Sequence, residues 1–204
     1  MNPLLPPTIT TLFITTLLIV VCQYMYRQER DKALLLWTLA WVVFFFRQIG
    51  ALIAAYRPDV DLLHAGNHAL TLAFTYLLLR GAQRWAGVTG PRSWDLAFVT
   101  ALGWSGLSEL AGWPHLVCSI PPSFLAAFAS LWAGFTMLRS PRRQGNQGAT
   151  LTSWALIIWA FHALDHPLSW ELEWYLPWDY EIDAALALFM AVAIWLLYYG
   201  ESRQ

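Results

Sequence analysis

The run WALIIWAFHALDHPLSWELEWYLPW, Trp154 to Trp178, decides how the rest of the chain is read. It opens as an apolar helix, carries His162, Asp165 and His166 near its far end, and then meets Pro167, where a break is expected. At about 3.6 residues per turn, positions three and four apart share a face, so these three polar side chains point the same way. The segment before them, Leu151 to Phe161, has the apolar character of a membrane span. Titratable groups at the mouth of a span are costly to keep, which marks this place for function.

Composition agrees with a membrane reading. Of 204 residues 58% are hydrophobic, 12% are charged and 13 are Trp; a soluble domain carries about 25% charged residues. The apolar runs are also as long as a bilayer requires. A net charge of −1 leaves no basic groove for phosphates, so no nucleic-acid partner is expected. Cys22 and Cys118 fall at opposite depths and in no metal-knuckle spacing, so neither a disulfide nor a cysteine metal site is expected. The first apolar run has no basic region before it and is long enough to remain as a span, so no cleaved signal peptide is expected.

Seven apolar segments can be marked: Thr8–Tyr26, Ala33–Tyr56, Leu62–Trp85, Trp94–Trp113, His115–Leu138, Ala149–Trp170 and Ile182–Gly200. Short loops join them, with no repeat and no soluble domain between. The expected fold is all-α, a single domain over residues 1–204 made of seven transmembrane helices. Ten of the twelve basic residues fall on one side: Arg27, Arg30, Lys32, Arg80, Arg84, Arg92, Arg139, Arg142, Arg143 and Arg203. By the positive-inside rule the N-terminus is outside and the C-terminus cytoplasmic. Trp113, Trp170, Trp174 and Trp178 would form an outer aromatic belt, and Trp37, Trp85, Trp94 and Trp154 an inner one. No tryptophan is taken as a site residue.

With that topology all five histidines lie in the outer leaflet or at its edge. On the third helix Asp61, His64, His68, Thr71 and Thr75 form one polar stripe. Ser105, Ser108 and Glu109 share a face near the outer end of the fourth. His115 opens the fifth, where Pro121-Pro122 should interrupt the backbone bonding and bend the helix. His64/His68 and His162/His166 each place two imidazoles on one helical face, the spacing that lets helix pairs hold a metal. Two such helices side by side could supply four nitrogens, with Asp165 or Glu109 as an oxygen ligand or as a group orienting a ring. The ligand set suits zinc, copper, nickel or iron, and axial histidines from opposing helices would suit haem b. The bland alternative is a set of polar groups satisfying one another within a bundle. Arg47 lies inside the second helix and needs a carboxylate, with Glu109 or Asp165 the natural partner. Arg47, Glu109, His115 and Asp165 are also candidates for binding a ligand.

Trp159, His162, Asp165 and Pro167, followed by Pro177-Trp178 and one more apolar helix, resemble the membrane-embedded sensor region of bacterial histidine kinases and diguanylate cyclases. There the helix reads W-x-x-H-x-L-D-Y-P and the next follows A-P-W-G; here His166 replaces the Tyr and Asp179 the Gly. Trp37, Trp41, Arg47 and the LLLRGAQRWAG run are in the same style. The resemblance implies a multi-pass protein of the bacterial inner membrane that takes a small ligand or metal ion from the outer side. It further implies signalling to a cytoplasmic output domain, fused or separate, with a homodimer as one arrangement.

Three function classes follow. The sensory module is favoured, and the closing LLYYGESRQ reads as a helix about to run on into an output unit. A metal-dependent membrane hydrolase ranks lower, because Ser105 and Ser108 sit in no nucleophile motif. The third is a transporter or electron-transfer subunit; no paired half-length broken helices mark a transporter, which leaves a haem- or metal-binding subunit. No Walker, Rossmann or kinase motif occurs, so catalytic output is not expected from this chain.

Overall fold

A computed structural model describes residues 5–56, 61–169 and 176–201. Among them the chain is all-helical: α1 Leu5–Glu29, α2 Lys32–Tyr56, α3 Asp61–Trp85, α4 Ser93–Leu110, α5 His115–Arg139, α6 Gln147–Ser169 and α7 Leu176–Glu201, with a 3₁₀ turn at Pro141–Arg143. Each helix lies within a few residues of its expected apolar segment. One boundary moves in a way that matters, and one expected break is absent. Helix α7 starts at Leu176, not Ile182, because Pro177 sits in the first turn, where a missing N–H leaves no bond unmade. Pro167 does not end α6, which runs on to Ser169.

The helices run up and down, joined by short connections. Neighbour contacts place α1, α2, α3, α5, α6 and α7 in a closed ring, with α4 against the outside of α3 and α5. At one end Tyr198 of α7 donates to Asp31 between α1 and α2 at 3.1 Å, and Arg142 donates to the Trp85 carbonyl at 2.7 Å. At the other end Thr11 of α1 donates to the Tyr180 carbonyl of α7 at 3.1 Å. Gly148 lets α6 approach α7: a Cβ there would overlap the backbone of Leu197, the small-residue contact that membrane bundles favour.

Surface and interior are distributed as lipid would require. Ile9, Phe13, Leu17, Val20 and Tyr24 form an exposed apolar stripe along α1, as do Leu96, Val99, Leu107 and Leu110 along α4. The interior meanwhile holds Arg47, Gln48, His68, Glu109, Asp179 and Asp183. A face of that size in water would be a liability. Four helices, at Leu5–Glu29, Lys32–Ala54, His115–Arg139 and Pro177–Gly200, are long and apolar enough to cross a membrane. The other three carry His64 and His68 (α3), Glu109 (α4), and His162, Asp165 and His166 (α6).

The tryptophans depart from the expected inner belt. Trp37, Trp85 and Trp94 are buried, and of that set only Trp154 is exposed. Trp37 instead donates its indole N–H to the Leu78 carbonyl at 3.3 Å. Core packing outweighs the headgroup preference wherever the helix turns the ring inward. Trp113 and Trp178 of the outer set are exposed, while Trp170 and Trp174 lie outside the described residues. Helix α5 continues through Pro121 and Pro122. Pro121 has no N–H for the carbonyl of Val117, and the Trp104 indole N–H donates to that oxygen at 3.2 Å. Cys22 and Cys118 are both free and buried.

Candidate functional site

Arg47 is 6% exposed and bonded through all three guanidinium nitrogens. Its Nη1 donates to Asp183 Oδ2 at 3.0 Å, its Nε to Thr71 Oγ1 at 3.1 Å, and its Nη2 to His166 Nε2 at 3.0 Å. The partner expected from sequence, Glu109 or Asp165, is therefore corrected to Asp183. The reason is helical phase: with α7 beginning at Leu176, Asp179 and Asp183 stand one turn apart on the face turned to α2 and α6. Gln48 Nε2 donates to the same Asp183 oxygen at 2.9 Å.

The histidine protons follow from these bonds. Arginine can only donate, so Nε2 of His166 accepts, which leaves the proton on Nδ1 to donate to Asp179 Oδ2 at 3.0 Å. His162 has carboxylate oxygens at both ring nitrogens: Asp165 Oδ1 lies 3.2 Å from Nδ1, and Asp183 Oδ1 lies 3.3 Å from Nε2. Both nitrogens can donate only in the imidazolium form. Arg47 and His162 thus stand among three carboxylates, Asp165, Asp179 and Asp183.

Below it lies an aromatic floor. Trp41, Phe44, Phe74 and Trp159 pack ring to ring with centroids 4.9 to 5.8 Å apart, and Phe44 also underlies the Arg47 guanidinium at 5.4 Å. Arg47, Thr71, Thr75, Ser123, His162, His166 and Asp183 border a cavity of about 30 Å³, room for one or two waters by the usual measure. Pockets for drug-sized ligands run to about 300–1,000 Å³. Asp165, half-exposed, stands at the outer edge of the network.

A second group sits between α3, α4 and α5. His68 Nε2 lies 3.6 Å from Glu109 Oε1, and His115 Nδ1 lies 3.9 Å from the same oxygen. The rings of His68 and His115 stack at 5.5 Å, and His64 meets His115 edge-on at 5.4 Å. Local sequence sets this up. Helix α4 closes on Gly112 at φ +67, with Trp113 N–H donating to the Ser108 carbonyl at 3.1 Å and Gly112 N–H to Glu109 at 3.0 Å, a Schellman motif. Pro114 then starts α5 at once, so Glu109 and His115 face each other across a tight corner.

The expectation of one four-histidine centre is replaced by this division. Groups whose ligand atoms all lie within 4.8 Å of one another are His68, Glu109 and His115, and His162, Asp165 and Asp179; among the described residues none joins a histidine of α3 to one of α6. Each i, i+4 pair shares a helix face, but the bundle supplies different neighbours to the two faces. Sequence reasoning overlooked Asp183, Asp179 and Gln48. A signal for the two aspartates was available in their four-residue spacing within a continuous apolar pattern. The acidic aromatic run 170–175 lies outside the described residues. Compared with known protein families, curated proteins and solved structures, the chain matches none.

Proposed function

We propose that the chain is a membrane-embedded sensory module. Its seven helices each cross the bacterial inner membrane, with the N-terminus and the histidine-bearing end outside and the C-terminus in the cytoplasm. The stimulus is a small polar molecule or ion that reaches the network through Asp165 and competes for its bonds. One observation carries this reading: the Arg47–Asp183 pair joins α2 to α7 inside the network that borders the cavity. The far end of the same α7 is held to the α1–α2 connection by Tyr198 and Asp31. A change in the charge or bonding of Asp183 therefore acts on a helix that runs to the opposite face, where an output unit, fused or separate, would read it. The cavity's small volume favours an ion or a few-atom ligand over haem b.

The test fuses a diguanylate cyclase catalytic domain after Gln204 and compares cyclic-dinucleotide output between the parent chain and Asp183→Asn in cells. The substitution keeps the shape and removes the charge, so output should move to a fixed high or low value. Equal output from both, at equal protein level, would refute the sensory reading.

A further inference from the structure

We infer that His68, Glu109 and His115 form a binding site for a divalent transition-metal ion, of which Zn²⁺ is the type, separate from the Arg47 network. The site is independent of the proposed sensory role, since an ion could be held there without any signal passing.

Three observations converge. Two nitrogen ligands and one carboxylate come from three different helices with their donor atoms all within 4.8 Å of one another. Two-histidine, one-carboxylate sets hold zinc in many proteins, leaving a fourth position open. Donors bound at about 2.0–2.1 Å around a tetrahedral ion are roughly 3.4 Å apart. The separations of 3.6 and 3.9 Å from Glu109 Oε1 to the two rings are close to that value. Second, His68 Nε2 and Glu109 Oε1 are both enclosed and face each other at 3.6 Å, just beyond hydrogen-bond length. Buried polar atoms left so are costly, and an ion between them would satisfy both at once.

Third, the two groups differ in whether a fixed cation is already present. His162, Asp165 and Asp179 already have Arg47 in their network, its guanidinium bonded to Asp183 and His166. The carboxylates there already share a resident guanidinium, with which an added ion would have to compete. Glu109 instead has only histidines as ionic neighbours among the described residues, and neutral imidazoles would leave its charge for a metal to balance. His64, edge-on to His115, is the side chain placed to complete or orient the set.

The experiment uses the purified full chain in detergent, stripped with a chelator and titrated with Co²⁺, whose visible bands report ligand number and geometry, and then with Zn²⁺ as competitor. One Co²⁺ per chain is expected, displaced by Zn²⁺. Glu109→Gln and His115→Ala should each weaken binding by at least ~10–100-fold, the loss seen even when groups merely supporting a ligand are removed. X-ray absorption on the unmutated Zn²⁺-loaded chain should show imidazole scattering, a readout that does not depend on a variant folding. The inference fails if no ion binds, if the scattering lacks imidazole, or if His162→Ala abolishes binding while Glu109→Gln leaves it intact. The last outcome would put the ion in the α6 group.

Discussion

Replacing Asp183 by Ala should be among the most damaging single changes in the molecule. The carboxylate accepts from Arg47 at 3.0 Å and from Gln48 at 2.9 Å, and both side chains of the ion pair are under 8% exposed. Its loss leaves the guanidinium enclosed with only Thr71 and His166 to bond, and stranding one partner of a buried pair costs about 3–5 kcal/mol. At roughly 2–4 °C per kcal/mol for a chain of this size, the thermal midpoint should fall by about 6–20 °C. Arg47→Met should cost less, because His162 and Gln48 still face the stranded carboxylate. The double variant Arg47→Met/Asp183→Leu leaves neither charge behind. It should be milder than the sum of the single variants by on the order of 3 kcal/mol. Thermal unfolding of the four proteins in one detergent measures that coupling. Strict additivity, or a drop for Asp183→Ala within about 2 °C of the parent, would refute the reasoning that the pair is buried and bonded as described.

Two further outcomes are expected. A reporter active only in the cytoplasm should work when fused after Gln204 and be silent after Arg57, because ten of the twelve basic residues lie on one side of the seven-span reading; the reverse pattern would move the histidines to the cytoplasmic leaflet. Gly148→Ala should destabilise by at least ~1–3 kcal/mol, since the new methyl meets the Leu197 backbone, which cannot rotate away; a neutral result would mean that α6 and α7 are not so closely packed.

The positions of the helices were legible because each apolar run is long and the punctuation between runs is short. Gly112-Trp113-Pro114 announces the corner between α4 and α5, although the reading extended α4 to Trp113. The depth of the five histidines was read from the seven-span topology, and spacing put each i, i+4 pair on one face of its helix. How they divide was not legible. Spacing assigns residues to a face of their own helix, whereas partners depend on how each helix is rotated in the bundle. Arg47 shows this well: the need for a carboxylate was evident, but Glu109 of α4, Asp165 of α6 and Asp183 of α7 could each have met it. Asp183 was passed over because starting α7 at Ile182 left Asp179 in a loop and hid the one-turn spacing between them. The same rotation explains Trp37 and Trp85, read as an interfacial belt and found in the core.

The central claim is that the state of the buried network reaches the far end of α7. Spin labels at Tyr199 on α7 and Gln28 on α1, in lipid nanodiscs, measure it directly by pulsed dipolar distance. Asp183→Asn should shift or broaden that distance distribution relative to the parent chain. Superimposable distributions, in proteins that unfold cooperatively, would contradict the claim and leave the network as a structural tie between α2 and α7.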